Sequence, residues 1–300
     1  MTNTTTILVT GATGFVGRRL VPALVERGFH VRAMTRHPKD YTGEAEPVGG
    51  DVHDADSLAQ PLEGVDVAVY LVHSLDSVDF ERRDADAARA FGRVAAEGGV
   101  RQIVYLGGLG REHDTLSPHL RSRRQVEGLL GEGGVPVTVL RAGIIVGAGG
   151  TSWELTRQLI KNLPAMIVPR WVATKTQPIG IDDVVHYLSG VVDEPAAFGR
   201  VFEIGGPEVL TYLEMLHIAA EVSNGSRRPI MKVPVLTPRL SSYWLALVTD
   251  IDVTTGRNLI DSMSTEVIVT DESIHELVPA NPAPYAEVVR RALEDGPRSS

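Results

Sequence analysis

Glycines stand at 11, 14 and 17 in the run Thr10-Gly11-Ala12-Thr13-Gly14-Phe15-Val16-Gly17. The apolar Ile7-Leu8-Val9 before it reads as a buried strand. The stretch after it, with Val16, Leu20 and Leu24 on one face, predicts a helix from Gly14 to Arg27. A glycine turn between a strand and a helix is suited to holding an anion. The first glycine permits the tight turn, the second lets the backbone approach a phosphate, and the third lets the helix lie close to the strand. The helix N-terminus then offers unpaired N–H groups. Gly11, Thr13, Gly14, Phe15 and Val16 are therefore expected to hold the pyrophosphate of a dinucleotide. The alternative is a purely structural glycine turn.

The next apolar run, Val31-Arg32-Ala33-Met34, leads into Thr35-Arg36-His37-Pro38-Lys39, with no acid before Asp40. An acid ending this strand would bind the adenine ribose hydroxyls of NAD. Arg36 instead suits stacking on adenine or pairing with a 2′-phosphate. NADP(H) is thus expected in preference to NAD(H), unless Arg36 is simply a solvated surface side chain. Gly50-Asp51-Val52 follows a short strand. Asp51 either accepts from the adenine amino group or caps the helix after it.

These residues need a scaffold, and the chain supplies an alternating one. Buried runs at 67–72, 103–106 and 137–140 are separated by helical stretches such as 79–97 and 116–130. Such alternation predicts a parallel sheet covered on both faces, with right-handed crossovers. The expected class is α/β, a doubly wound parallel sheet (Rossmann fold) with a smaller C-terminal substrate lobe. Residues 1–150 form the dinucleotide-binding core and 151–295 the lobe, with 177–192 returning to the core; 296–300 read as a disordered tail. In the lobe, 153–163 and 182–192 read as helices, and 200–204 as a strand leading into Gly205-Gly206-Pro207. Thr211 and Glu214 form a capping box that opens a helix to about Val222. An extended segment is expected at 229–233 and an apolar helix over 236–249.

Composition narrows the function. The 300 residues carry a formal net charge of −9 and no basic run with interleaved aromatics, which argues against nucleic acid and anionic membrane surfaces as partners. The absence of cysteine excludes disulfides, thiolate catalysis and cysteine-ligated metals. Histidines at 53, 113, 186, 217 and 275 are scattered, so no metal site is expected. No apolar stretch is long enough for a membrane span and the N-terminus does not read as a signal peptide, so the expected location is the cytoplasm.

Together the motifs resemble the extended and atypical short-chain dehydrogenase/reductase superfamily, with its NmrA-like and epimerase/dehydratase-like branches. Gly50-Asp51-Val52 is similar to its adenine-contacting turn. Tyr70-Leu71-Val72-His73 is similar to the end of its fourth strand, where the chain passes the cofactor. Leu140-Arg141-Ala142-Gly143, Gln177-Pro178-Ile179-Gly180-Ile181-Asp182-Asp183-Val184 and Ile204-Gly205-Gly206-Pro207 match later stretches. The resemblance implies cofactor contacts from Asp51, Val52, Leu71, Val72, His73, Gly107 and Arg123.

The chain departs from the superfamily at the catalytic pair. Most members exchange a substrate proton through a Tyr-x-x-x-Lys pair. Here His119 and Arg123 stand in those places, and Leu106-Gly107-Gly108-Leu109 offers no hydroxyl at the usual serine position. His119 either replaces tyrosine as general acid, with Arg123 holding the ribose, or the nucleotide is bound without carbinol chemistry, as in NmrA-like sensors, or His119 is a surface histidine. His73 is a further catalytic or cofactor candidate, with a structural hydrogen-bonding role as its alternative. Tyr70 and Tyr105 read as core. The expected activity is NADPH-dependent oxidoreduction of an apolar small molecule; a redox sensor and an epimerase/dehydratase-like enzyme are the alternatives. Trp153, Trp171, Tyr243 and Trp244, with Leu240, Leu245 and Leu247, either line the substrate pocket or form the lobe core or a homodimer contact. Arg170 is placed to reach a polar group of the ligand.

Overall fold

The computed structural model describes residues 4–74, 79–110, 116–162, 166–168, 170–225, 230–232, 263 and 265–296, with the backbone alone at 166–168, 170–171 and 230–232. In chain order the strands are β1 (Thr6–Thr10), β2 (His30–Thr35), β3 (Glu46–Gly49), β4 (Val67–Tyr70), β5 (Gln102–Gly108), β6 (Val137–Ala142), β7 (Ile145–Val146), β8 (Met166–Val168), β9 (Lys175–Thr176), β10 (Ile179–Gly180), β11 (Val201–Ile204), β12 (Leu210–Thr211) and β13 (Ile230–Lys232). The helices are α1 (Gly17–Glu26), α2 (Ala59–Leu62), α3 (Phe80–Glu97), α4 (Pro118–Gly131), α5 (Thr151–Asn162), α6 (Ile181–Val191), α7 (Tyr212–Asn224), α8 (Ile274–Leu277) and α9 (Tyr285–Glu294).

Seven strands form one sheet in the order β11-β6-β5-β4-β1-β2-β3, every neighbouring pair parallel. Successive side chains of a strand point to opposite faces, and β1 shows the result. Ile7 and Val9 pack with Leu20 and Leu24 of α1 and Tyr187 and Leu188 of α6. Leu8 faces the other way, with Phe91 of α3 and Leu129 of α4. This is the expected doubly wound sheet with helices on both faces. The strand order reverses direction between β1 and β4, and the crevice above their carboxyl ends is where such folds take ligands.

A third cluster lies beyond the sheet, built from Trp153, Leu155 and Leu159 of α5, Tyr212 and Met215 of α7, and Val288 and Val289 of α9. The exposed capping box that opens α7 forms as expected: Glu214 N–H donates to Thr211 Oγ1 at 3.2 Å, and Thr211 N–H donates to Glu214 Oε2 at 2.7 Å. The later chain also returns to the sheet. Strand β11 pairs with β6, from Val201 opposite Val139 to Ile204 opposite Ala142. Buried Gln102 clasps this return: its amide donates to Thr138 Oγ1 at 2.8 Å and to Val191 O at 2.9 Å, and its Oε1 accepts from Asp193 N–H at 2.9 Å.

Several elements differ from expectation for local reasons. Helix α1 begins at Gly17 rather than Gly14, because residues 11–16 form the turn that faces the crevice. The apolar run 67–72 is strand only to Tyr70; Leu71 N–H instead donates to Thr10 Oγ1 at 3.0 Å, which bends the chain across the top of β1. The expected helix over 236–249 and the tail beyond Gly296 lie outside the described residues. No described helix is long and apolar enough to cross a membrane.

Candidate functional site

The glycine turn is tightly set. Gly11 has φ +63°, in the left-handed region that favours glycine, and its carbonyl accepts from Gly14 N–H at 2.9 Å. A Cβ on Gly17 would stand 2.2 Å from Gly11 O, so only glycine allows α1 to begin this close to β1. The loop after β7 closes over the turn. Arg18 and Arg19 both donate to Ala148 O, at 2.7 and 2.9 Å. The Phe15 ring fills the space a side chain at Gly150 would take.

Two cavities open along this crevice. The larger, about 500 Å³, is walled by Gly11, Thr13, Gly14, Phe15, Val16, Arg36, Asp51, Val52, Leu71, Val72 and His73. The second, about 240 Å³, holds Gly107, His119 and Arg123 among apolar walls from Leu106, Leu109, Ile144 and Met263. Phe15, Val16, Leu71 and His73 line both, so the two form one continuous groove. Every residue proposed from the sequence as a cofactor contact or catalytic group lies on one of these walls. The structure adds Thr35, His37, His53, Ser74, Arg83 and Thr151 to the first wall, and Ser152, Tyr212 and Val267 to the second.

At the outer end, Arg36 follows the last residue of β2 and is exposed to the cleft. No carboxylate pairs with it among the described residues. The same holds for Arg83 on α3, so two free guanidinium groups face a space that also carries Asp51. The Asp51 carboxylate accepts from His53 N–H at 3.0 Å, which shapes the loop, while Asp54 caps the short helical turn that follows. Across the cleft His53 Nε2 meets Ser74 Oγ at 3.0 Å.

At the inner end, helix α4 sets the chemistry. Ser117 caps it, accepting from Leu120 N–H at 3.3 Å, with Pro118 in its first turn. His119 and Arg123 are four residues apart and so share one face. A Cβ on Gly108 would come within 2.8 Å of Leu120, so the bare glycine admits the helix to the end of β5. Burial and the Arg123 charge push the His119 pKa from 6.5 down to about 3. His73 opens onto the cleft but is hemmed in by protein; this desolvation, with Arg123 and His119, holds its pKa well below 6.5. Both imidazoles are neutral at pH 7. Arg123 has no ion pair among the described residues, whereas its neighbours Arg121 and Arg124 have carboxylates, Glu81 at 3.2 Å and Glu127 at 3.7 Å.

Trp153 does not line the groove. It is 1% exposed and packs in the lobe core, and its neighbour Ser152 faces the cavity instead. Tyr70 and Tyr105 are core residues. The side chains of Arg170 and Trp171, and the residues Leu240, Tyr243, Trp244, Leu245 and Leu247, lie outside the described set, as does His113.

A glycine turn of this kind, arginines without carboxylate partners among the described residues and a groove in two parts suit a dinucleotide, and comparison with known proteins agrees on nucleotide binding. The NAD(P)H-binding family model matches residues 11–173. The chain belongs to this NAD(P)H-binding family. It is 31% identical over 236 residues to a (4-alkanoyl-5-oxo-2,5-dihydrofuran-3-yl)methyl phosphate reductase of Streptomyces griseus, covering 75% of each chain. It is 25% identical over 224 residues to the mitochondrial NADH dehydrogenase [ubiquinone] 1 alpha subcomplex subunit 9 of Arabidopsis thaliana, covering 70% of this chain and 56% of that protein. Among solved structures, Citrobacter sp. triphenylmethane reductase complexed with NADP(H) superposes with a TM-score of 0.79 at 18% identity, over 96% of this chain and 100% of the other. At that identity the likeness is one of fold.

Proposed function

We propose that this protein is an NADPH-dependent oxidoreductase acting on an apolar small molecule. The observation that carries the reading is the continuous groove: the dinucleotide cleft runs directly into an apolar cavity that holds His119 and Arg123. The cleft fits the cofactor by its own chemistry. Backbone N–H groups of 11–16 face the diphosphate, Arg36 the 2′-phosphate, Asp51 and Val52 the adenine, and Leu71 to His73, Gly107 and Arg123 the nicotinamide half.

A bound nicotinamide supplies a hydride at the inner cavity. The protein's part is to place the acceptor and to accommodate the charge it gains. Apolar walls exclude water. Arg123 offers a positive charge to the oxygen on which negative charge develops, and neutral His119 offers that oxygen an N–H donor. With a pKa near 3, His119 does not carry a spare proton at pH 7. The last proton therefore comes from solvent once the reduced anion leaves the cavity, which suits acceptors whose reduced anion is delocalised.

The test pairs a screen of carbonyl, quinone and activated-alkene acceptors for NADPH consumption with Arg36→Ser. A charged hydrogen bond is worth about 1.5–3 kcal/mol, so the variant should bind NADPH roughly 10- to 100-fold more weakly and NADH unchanged. Equal weakening of both would remove the 2′-phosphate from Arg36. The neutral His119 also favours a second reading, a sensor that binds nucleotide without turnover. That reading requires different affinities for NADP+ and NADPH, and equal dissociation constants by calorimetry would eliminate it.

A further inference from the structure

We propose that Arg141 is a positioning residue: it holds the Glu127 carboxylate away from Arg123, so that the Arg123 charge stays available to the inner cavity. The inference rests on the reading of Arg123 as a cation on the nicotinamide side of the groove. Helix α4 carries His119, Arg123 and Glu127 at intervals of four residues, which places all three on one face. At that spacing the Cβ atoms of Arg123 and Glu127 are about 5–6 Å apart, within reach of an ion pair. The glycines that end β5 show how near both side chains stand to the cavity, since Gly107 and Gly108 line it. A Cβ on Gly107 would come 2.8 Å from Glu127 Oε1, and one on Gly108 would come 3.6 Å from Arg123 Cγ. Glu127 thus lies against the cavity wall, one helical turn from a guanidinium it could neutralise. Arg123 nevertheless has no carboxylate partner among the described residues.

Arg141 accounts for this. It stands on β6, directly opposite Gly107 of β5. Its Nε donates to Glu127 Oε1 at 3.1 Å and Oε2 at 3.2 Å, and its Nη2 donates to Oε2 at 2.6 Å. Oε1, the oxygen against Gly107, accepts from Arg141 alone among the described residues. Arg124 stands 3.7 Å from Oε2 and already donates to Gly110 O at 2.7 Å. The Glu127 and Arg141 side chains are 8% and 14% exposed. A carboxylate so far from water needs a charged partner. Because β6 supplies that partner, α4 keeps one guanidinium uncommitted. Stability alone does not call for the two charges, since an uncharged pair of similar size often serves a buried position as well. With Arg141 neutral, Oε1 would be released on the Gly107 side and Arg123 would turn to it. The cavity would then offer the nucleotide a closed ion pair in place of a cation.

The experiment compares Arg141→Gln, Glu127→Gln and the double variant carrying both, each read by NADPH titration, 2′,5′-ADP titration and thermal unfolding. 2′,5′-ADP spans only the adenosine end and does not reach Arg123. Arg141→Gln should bind NADPH about tenfold more weakly, the loss of one hydrogen bond between charged groups, and 2′,5′-ADP unchanged. Glu127→Gln should bind NADPH at least as tightly as the parent, even though its melting temperature falls. Added to Arg141→Gln, it should restore the lost affinity, because the competitor for Arg123 is gone. A pair that is merely structural predicts the opposite pattern: both single variants lose NADPH in parallel with melting temperature, and that result would overturn the proposal. A double variant that binds 2′,5′-ADP normally but NADPH weakly would also overturn it, including where Arg141→Gln alone does not fold. Unchanged NADPH affinity in Arg141→Gln, with a clear loss in Arg123→Met, overturns the role of Arg141 alone. Unchanged affinity in Arg123→Met overturns the reading of the site beneath it.

Discussion

Replacing Gly17 with alanine tests the foundation of the site. The added Cβ would lie 2.2 Å from Gly11 O and 2.7 Å from Ala12 Cα. Both obstacles are backbone, so no side chain can rotate away. The nearer contact is about 1.2 Å short of ordinary van der Waals distance, and the start of α1 must lift from the turn by about that much. Overpacking of this kind costs about 1–3 kcal/mol. In a domain somewhat smaller than this chain, each kcal/mol moves Tm by about 2–4 °C, so the expected fall is roughly 2–12 °C. The lift also carries the N–H groups of 14–17 away from the anion, and NADPH affinity should drop at least about tenfold. Gly128→Ala is the matched control. It lies within α4, a Cβ there meets nothing within 4 Å, and alanine should stabilise by about 0.4–1 kcal/mol. Thermal unfolding and fluorescence titration measure both variants. If Gly17→Ala melts with the parent and binds NADPH normally, the argument from close approach is wrong.

Two further perturbations probe the inner end. Glu127→Gln leaves the Arg141 guanidinium, now paired at 2.6 Å with both side chains at most 14% exposed, without its countercharge. Urea unfolding should show a loss of about 3–5 kcal/mol, and a loss below about 1 kcal/mol would mean the pair is not structurally important. His119→Gln addresses pH. The unfolded imidazole takes a proton near pH 6.5 whereas the folded one waits until about 3, so between these values the unfolded chain binds more protons and stability falls with acid. The substitution should remove up to one proton from that dependence, read as a smaller stability difference between pH 7 and pH 4.5. An unchanged difference would show that His119 titrates normally in the folded chain.

The outer half of the groove was legible because its determinants are local. Gly11, Gly14 and Gly17 act on one turn, and Arg36 follows its strand directly. His119 and Arg123 were legible as a pair because they stand at the places of the superfamily's Tyr-x-x-x-Lys pair, and a four-residue spacing on a helix puts them on one face. Arg83, Ser152, Tyr212 and Val267 were not, because only tertiary packing brings α3, α5, α7 and the segment after 263 to the cavity walls. For Trp153 the sequence left pocket and lobe core both open, because a large aromatic serves either, and the structure places it in the core. Helix α9 was overlooked although Tyr285, Val288, Val289 and Ala292 repeat at helical spacing.

The Gln102 clasp has a consequence for how the chain acquires its shape. Residues 102, 138, 191 and 193 are joined by hydrogen bonds reaching across as many as 91 positions. Strand β11, which covers the open edge of β6, is translated about sixty residues after it. Until α6 and that strand arrive, the growing chain presents an unpaired parallel edge and a Gln102 that lacks its partners at 191 and 193. Such late, long-range closure slows folding and exposes an edge to other chains in the interval. A chain cut at residue 150 would remain in that interval permanently, with its glycine turn intact in sequence and the face that α6 should cover left open to water.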